Sequence, residues 1–220
     1  MEGNTRKMID LARKLAGQHT DAGLNKAAEI MLHLIETGHE DPEILIYAAM
    51  YLLQGPQGGS SETRNQALAM VDKATASMPE NITLLKNAVF CYEMAISDSP
   101  HKINDIIRLC LKILDIDPDN VEAMITLACH RNHPGVALDY GDTIRMLEWA
   151  KEIEPDNMLV YFTLARLHME AGHYKQARQI YRQIITHTES CSRDSLNARH
   201  QLKSIRPKSK YKRLRKYGVN

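Results

Sequence analysis

Eight cations stand within fourteen residues near one end of the chain: Lys203, Arg206, Lys208, Lys210, Lys212, Arg213, Arg215 and Lys216, with no acid between them. Clustered Lys and Arg neutralise phosphates, and Tyr211 and Tyr217 beside them offer rings on which unpaired bases can stack. The same cluster suits a nuclear import signal, an anionic membrane surface, or a solubilising end resting on acidic protein. The remaining residues hold 20 cations against 27 acids, so the net charge of +1 conceals an acidic body of about −7.

The other reactive side chains are dispersed. Cys91, Cys110, Cys129 and Cys191 do not have the spacing of a metal-ligand set, and three of them fall at helical positions, which points to packed, reduced thiols. Cys129-His130 with His133 lies beside the turn at Pro134-Gly135 and has no second cluster, so no metal is expected. The ten histidines share no partner pattern. A glycine-rich phosphate loop, a Gly-x-Ser-x-Gly elbow and a His-Glu-x-x-His pair are all lacking, which favours binding over catalysis, with no enzyme activity and no cofactor expected. No apolar run reaches the ~18 residues of a membrane span, and Met1-Glu2-Gly3-Asn4 opens no signal peptide, so a cytoplasmic protein is expected, with nuclear entry open to it through the tail.

What positions these groups is a recurring turn. Glu154-Pro155-Asp156-Asn157 follows Asp117-Pro118-Asp119-Asn120 by 37 residues, which follows Met78-Pro79-Glu80-Asn81 by 39; Glu40-Asp41-Pro42-Glu43 is a fainter copy. Pro lacks an N–H and disfavours the α region for its predecessor, so each Pro is expected to end one helix, with Asp or Asn capping the next. Twelve residues before three of the turn prolines stand Ala67, Ile106 and Thr143. Val71 and Ala74, Cys110 and Ile113, and Leu147 and Ala150 follow them at i+4 and i+7, which is one face of a helix. Ala177, Tyr181 and Ile184 repeat the pattern. Gly55–Ser61, Ser97–Pro100 and His133–Gly135 read as turns between the helices of a pair.

This pattern, fullest from Asp156 to Ile184, resembles the tetratricopeptide repeat family. The resemblance implies an all-α, right-handed superhelical solenoid of antiparallel helix pairs with a C-terminal capping helix. Five units are expected at about 8–41, 43–81, 82–120, 121–157 and 158–190, with a cap at 194–205. They form a single solenoid over 1–205, followed by a flexible basic tail at 206–220.

In that family the first helix of each unit lines a concave binding groove. The alignment places Ile44, Tyr47 and Tyr51, then Lys86, Asn87 and Phe90, then Glu122, Ile125, Thr126 and Cys129, then Phe162 and Arg166 along it. Phe90 and Phe162 are equally open to a plain packing role. The cage by which co-chaperone relatives hold a C-terminal carboxylate is not matched: Lys86 fits, but Phe90, Thr126, Leu159 and Thr163 stand where its other polar and basic groups would be. The expected function is a protein-interaction adaptor or scaffold that takes a peptide or amphipathic helix of a partner protein. The tail residues Lys208, Lys210, Lys212, Arg213, Arg215 and Lys216 supply a second contact. The alternative is an RNA- or DNA-associated repeat protein in which the tail dominates.

Overall fold

The computed structural model describes residues 2–96, 102–134, 136 and 138–205. Among them regular structure is helical throughout, without a strand. Eleven α-helices follow one another: α1 (Glu2–Ala16), α2 (Asp21–Glu36), α3 (Pro42–Gln54), α4 (Ser61–Ser77), α5 (Ile82–Ala95), α6 (Ile103–Ile116), α7 (Val121–Cys129), α8 (Tyr140–Ile153), α9 (Met158–Glu170), α10 (Tyr174–His187) and α11 (Arg193–Ser204). A short 3-10 turn, Pro56–Gly59, lies between α3 and α4. The sequence-expected turn at Ser97–Pro100, Gly135 and the basic tail from Arg206 onward lie outside the described residues.

The recurring turns work through their asparagines. Asn81, Asn120 and Asn157 precede α5, α7 and α9, and their side-chain oxygens accept the N–H of Leu84, Ala123 and Leu159 at 3.1, 3.2 and 3.1 Å. Each bond satisfies one of the four N–H groups a helix start leaves without an acceptor, worth about 1 kcal/mol. Ser60, Asp139 and Ser192 open α4, α8 and α11 in the same way. Helices α4, α6 and α8 stop two residues before Pro79, Pro118 and Pro155.

Pro42 departs from the expectation that each Pro ends a helix: it is the first residue of α3. A missing N–H costs nothing at that position, and the fixed φ suits a helix start. The preceding helix is closed by Gly38 instead, whose φ of 90° only glycine adopts freely. There the N–H of His39 reaches the Leu34 carbonyl at 2.9 Å and that of Gly38 reaches Ile35 at 3.0 Å. Helix α9 ends alike at Gly172, φ 74°, with His173 N–H on the His168 carbonyl at 2.7 Å. Both are Schellman turns.

The core lies on the face that the i, i+4, i+7 pattern marks. Ala67, Val71, Ala74, Ile106, Cys110, Ile113, Leu147, Ala150, Ala177, Tyr181 and Ile184 are at most 5% exposed. Thr143, fully buried at the same register, donates its hydroxyl to the Asp139 carbonyl at 2.7 Å, so no polar atom is stranded there. Ala67 and Ala177 let neighbouring helices approach, and the larger Val71, Ile106, Ile113, Leu147 and Ile184 contribute about 1.5–3 kcal/mol each by leaving water.

The chain divides into two compact units, Met1–Val136 and Ala137–Asn220. The first holds α1 to α7, each helix packed on its successor, with α3 also against α5. The second holds α8 to α11, with α9 packed on α8 and α10 and with α11 covering α10. The boundary falls inside the span 121–157 read from sequence as one helix pair. Between α7 and α8 the chain runs through the turn residues Arg131 to Pro134.

Candidate partner-binding face

In the first unit, α3 sets Tyr47 and Tyr51 one turn apart, rings stacked at 6.0 Å and inclined by 25°. Arg13 of α1 lies 4.7 Å above the Tyr47 ring, and its guanidinium comes within 3.6 Å of Glu43. This pairs a cation with the π-face of an accessible tyrosine. Tyr51 is only 6% exposed, and burial, with the neighbouring Tyr47, raises its pKa against the pull of Arg13.

Helix α5 carries a different surface. Lys86 joins Glu122 of α7 at 2.5 Å. One turn further on stands Phe90, and one turn beyond that Met94, 36% and 37% exposed. Residues at i, i+4 and i+8 share a helix face, so the line reads cation, aromatic, thioether. Asn87 is half-buried beside it. Desolvation, with the charge of Glu122, raises the Glu93 carboxyl above its ordinary range, while a hydrogen bond from the Thr126 hydroxyl opposes the shift. Ile44, Ile125 and Thr126 are buried, whereas Cys129, the last residue of α7, is exposed.

In the second unit, Phe162 of α9 is half-buried with its ring 6.2 Å from Tyr181 of α10. Arg166 reaches Glu170 at 2.8 Å, one turn along the same helix. Burial raises the Tyr181 pKa and the charge of Arg166 draws it back. The sequence-derived set therefore resolves into Tyr47 with Tyr51, Lys86 and Phe90 with Glu122, and Phe162 with Arg166. The six tail cations Lys208, Lys210, Lys212, Arg213, Arg215 and Lys216 lie outside the described residues.

A cleft of about 480 Å³ opens elsewhere in the first unit, lined by Asp72, Thr75, Lys102, Asp105, Arg108 and Lys112 among others. Its charges answer one another: Lys102 lies 3.2 Å from Asp72 and from Asp105, and Arg108 lies 3.1 Å from Asp105. Burial would raise the Asp105 carboxyl, but hydrogen bonds from Arg108 and Lys102 outweigh it and hold the group below its ordinary value. Among the described residues no three His, Cys, Asp or Glu side chains are grouped to hold a metal ion, and no helix is long and apolar enough to cross a membrane.

Residues 143–189, from within α8 to just past α10, match the family model described as YpiA-like, tetratricopeptide repeats. Solved repeat proteins share the helical architecture well beyond that segment. TTC0263, a thermophilic repeat protein of Thermus thermophilus, aligns with a TM-score of 0.62 at 14% identity over 91% of this chain and 97% of its own. The fold is the tetratricopeptide repeat. MamA from Desulfovibrio magneticus RS-1 aligns at 0.61 and 11% identity over 81% of this chain and 92% of its own, and another MamA structure at 0.60 and 11% over 94% and 98%. No curated protein matches the sequence.

Sequence reasoning placed residues on tetratricopeptide first helices but missed Arg13, Met94 and Glu93, which the structure adds to those faces. Arg13 sits on α1, where the repeat pattern is faintest, and nothing local ties it to Tyr47. Met94 was within reach, since it continues the Lys86, Phe90 spacing by one more turn.

Proposed function

We propose that this chain is a non-enzymatic adaptor whose first unit takes up a segment of a partner protein on α3, α5 and α7. The observation that carries the reading is the open apolar line of Phe90 and Met94 beside the Lys86–Glu122 pair. Apolar anchors bordered by charged groups are the usual make-up of a protein contact, and anchors one turn apart suit an amphipathic helix that presents apolar side chains at i and i+4. On the second unit Phe162 and Arg166 offer a smaller set of the same kind. The acid-free run from Lys208 to Lys216 supports a second contact with an anionic surface, and a cytoplasmic site of action with nuclear access goes with it.

Selection from a displayed library of helical peptides against the full chain tests the first contact. Peptides carrying paired apolar residues should be enriched and should lose at least tenfold in affinity for Phe90→Ala, with the far-ultraviolet circular dichroism unchanged. Equal affinity for the two proteins rejects α5 as the binding surface. For the tail, binding to single-stranded RNA that falls steeply with salt and disappears on removal of residues 206–220 would promote nucleic acid to the leading partner.

A further inference from the structure

The cleft of the first unit is walled by two helix faces. Asp72, Thr75 and Ala76 stand at i, i+3 and i+4 of α4, and Asp105, Arg108, Leu109 and Lys112 stand at i, i+3, i+4 and i+7 of α6. Pro79, Leu85 and Leu109 add an apolar lining, and the volume of about 480 Å³ is that of a small-molecule site. None of these residues belongs to the Lys86, Phe90, Met94 line of α5.

Three cations and two acids line it, an excess of one positive charge in a body that carries about −7 outside the tail. The three cations are not equally committed. Lys102 is held by Asp72 and Asp105 and by the Tyr92 ring, and its side chain is only 12% exposed. Arg108 donates through one Nη2 to Asp105 at 3.1 Å, which engages one of the five N–H groups of a guanidinium, and its side chain is 63% exposed. Lys112, one turn beyond Arg108 and half-buried, makes no ion pair among the described residues. An anion can therefore meet Lys112 and the outer N–H groups of Arg108 without displacing a native pair.

We propose that this cleft binds a small organic phosphate monoester, with the phosphoryl group between Arg108 and Lys112 and the carbon body against Pro79 and Leu109. A phosphate monoester is close to a dianion at neutral pH, which two cations one turn apart can match, whereas a carboxylate would answer only one of them. The planar fork of Arg108 and the point charge of Lys112 are the two usual ways of holding a phosphoryl group. Asp105 fixes the guanidinium by the bond that it already accepts. The site needs no protein partner and does not depend on the adaptor reading.

Amide nitrogen-15 spectra of the full chain, titrated with phenyl phosphate, test the site. Saturable shifts should gather at positions 72–76 and 105–112, and Arg108→Gln and Lys112→Gln should each weaken the apparent Kd about tenfold. Lys112→Gln breaks no ion pair among the described residues, so its effect is not one of folding. Arg145→Gln, on α8 of the second unit, should leave the affinity unchanged. Inorganic phosphate, which brings no apolar body, should bind about tenfold more weakly than phenyl phosphate. The absence of saturable shifts at the cleft, or equal affinity of wild type and Lys112→Gln, rejects the site. Equal affinity for the two phosphates rejects an organic ligand.

Discussion

The phenolic hydroxyl of Tyr92 donates to Asp72 at 2.5 Å, joining α5 to α4 across twenty residues. The Tyr92 side chain is almost completely buried and its ring supports the Lys102 ammonium at 4.8 Å, while that ammonium also bonds Asp72. Burial, and next the Asp72 hydrogen bond, drive the tyrosine pKa upward, so the hydroxyl keeps its proton across the working range. Tyr92→Phe removes one bond to a carboxylate and leaves the packing in place. The Asp72 side chain is about half exposed and still holds Lys102, so the loss should be about 1 kcal/mol by urea denaturation, against about 3–5 kcal/mol for Tyr92→Ala.

Thiol chemistry should separate the four cysteines into two pairs. Cys91 and Cys110 are buried, and burial pushes each thiol to about 12, with Glu93 and Glu122 adding to the shift at Cys110. Only the thiolate attacks a disulfide reagent. Cys129 and Cys191 are exposed. The native protein should therefore release two equivalents of chromophore quickly with an aromatic disulfide reagent at pH 8, and all four once unfolded in guanidinium. Four rapid equivalents from the native chain would show that α5 and α6 open readily. The sequence reading of packed thiols holds for Cys91 and Cys110 but not for Cys129, whose place at the end of α7 leaves it outside the packed face.

The caps give a paired test. Asn120 bonds Ala123 N–H and also donates to Asp117 at 2.9 Å, whereas Asp41, before α3, makes no side-chain cap bond. Asn120→Ala should cost about 1 kcal/mol and Asp41→Ala only a few tenths, measured as shifts in urea midpoint at constant slope. An equal cost at both sites would show that the turns act through their prolines and not through their asparagines.

Local chemistry explains why so much of the helical fold could be read in advance. A Pro followed two residues later by Asn stops one helix and caps the next within four residues, and an apolar face at i, i+4, i+7 declares itself within a dozen. Ala67, Cys110, Leu147 and Ala177 are buried as that spacing requires. The faces open to partners are less legible, because exposure is decided by neighbours far along the chain. Nothing around Tyr47 announces that Arg13 covers it. Phe90 and Phe162 are alike in sequence, yet among the described residues it is Phe162 that meets an aromatic partner, Tyr181 of the next helix.

The Lys86–Glu122 pair separates stability from binding. It spans α5 and α7 at 2.5 Å, but both side chains keep contact with water, Glu122 being 61% exposed. Solvent-accessible pairs are worth about 0–1 kcal/mol, since the attraction is screened and two long side chains are immobilised. Exchanging the charges, Lys86→Glu with Glu122→Lys, restores the attraction and should leave the thermal midpoint within about 2 °C of wild type. It moves the cation away from the Phe90–Met94 line and puts an anion there. A peptide bound on α5 whose acidic residue faces Lys86 should then lose about tenfold in affinity and recover it when that residue is changed to lysine. Each single variant should be weaker folded than the exchange, because it leaves two like charges facing one another. Calorimetric titration of the four proteins with one selected peptide closes the cycle, and a coupling near zero between Lys86 and the peptide's charge would place the bound segment elsewhere on the unit.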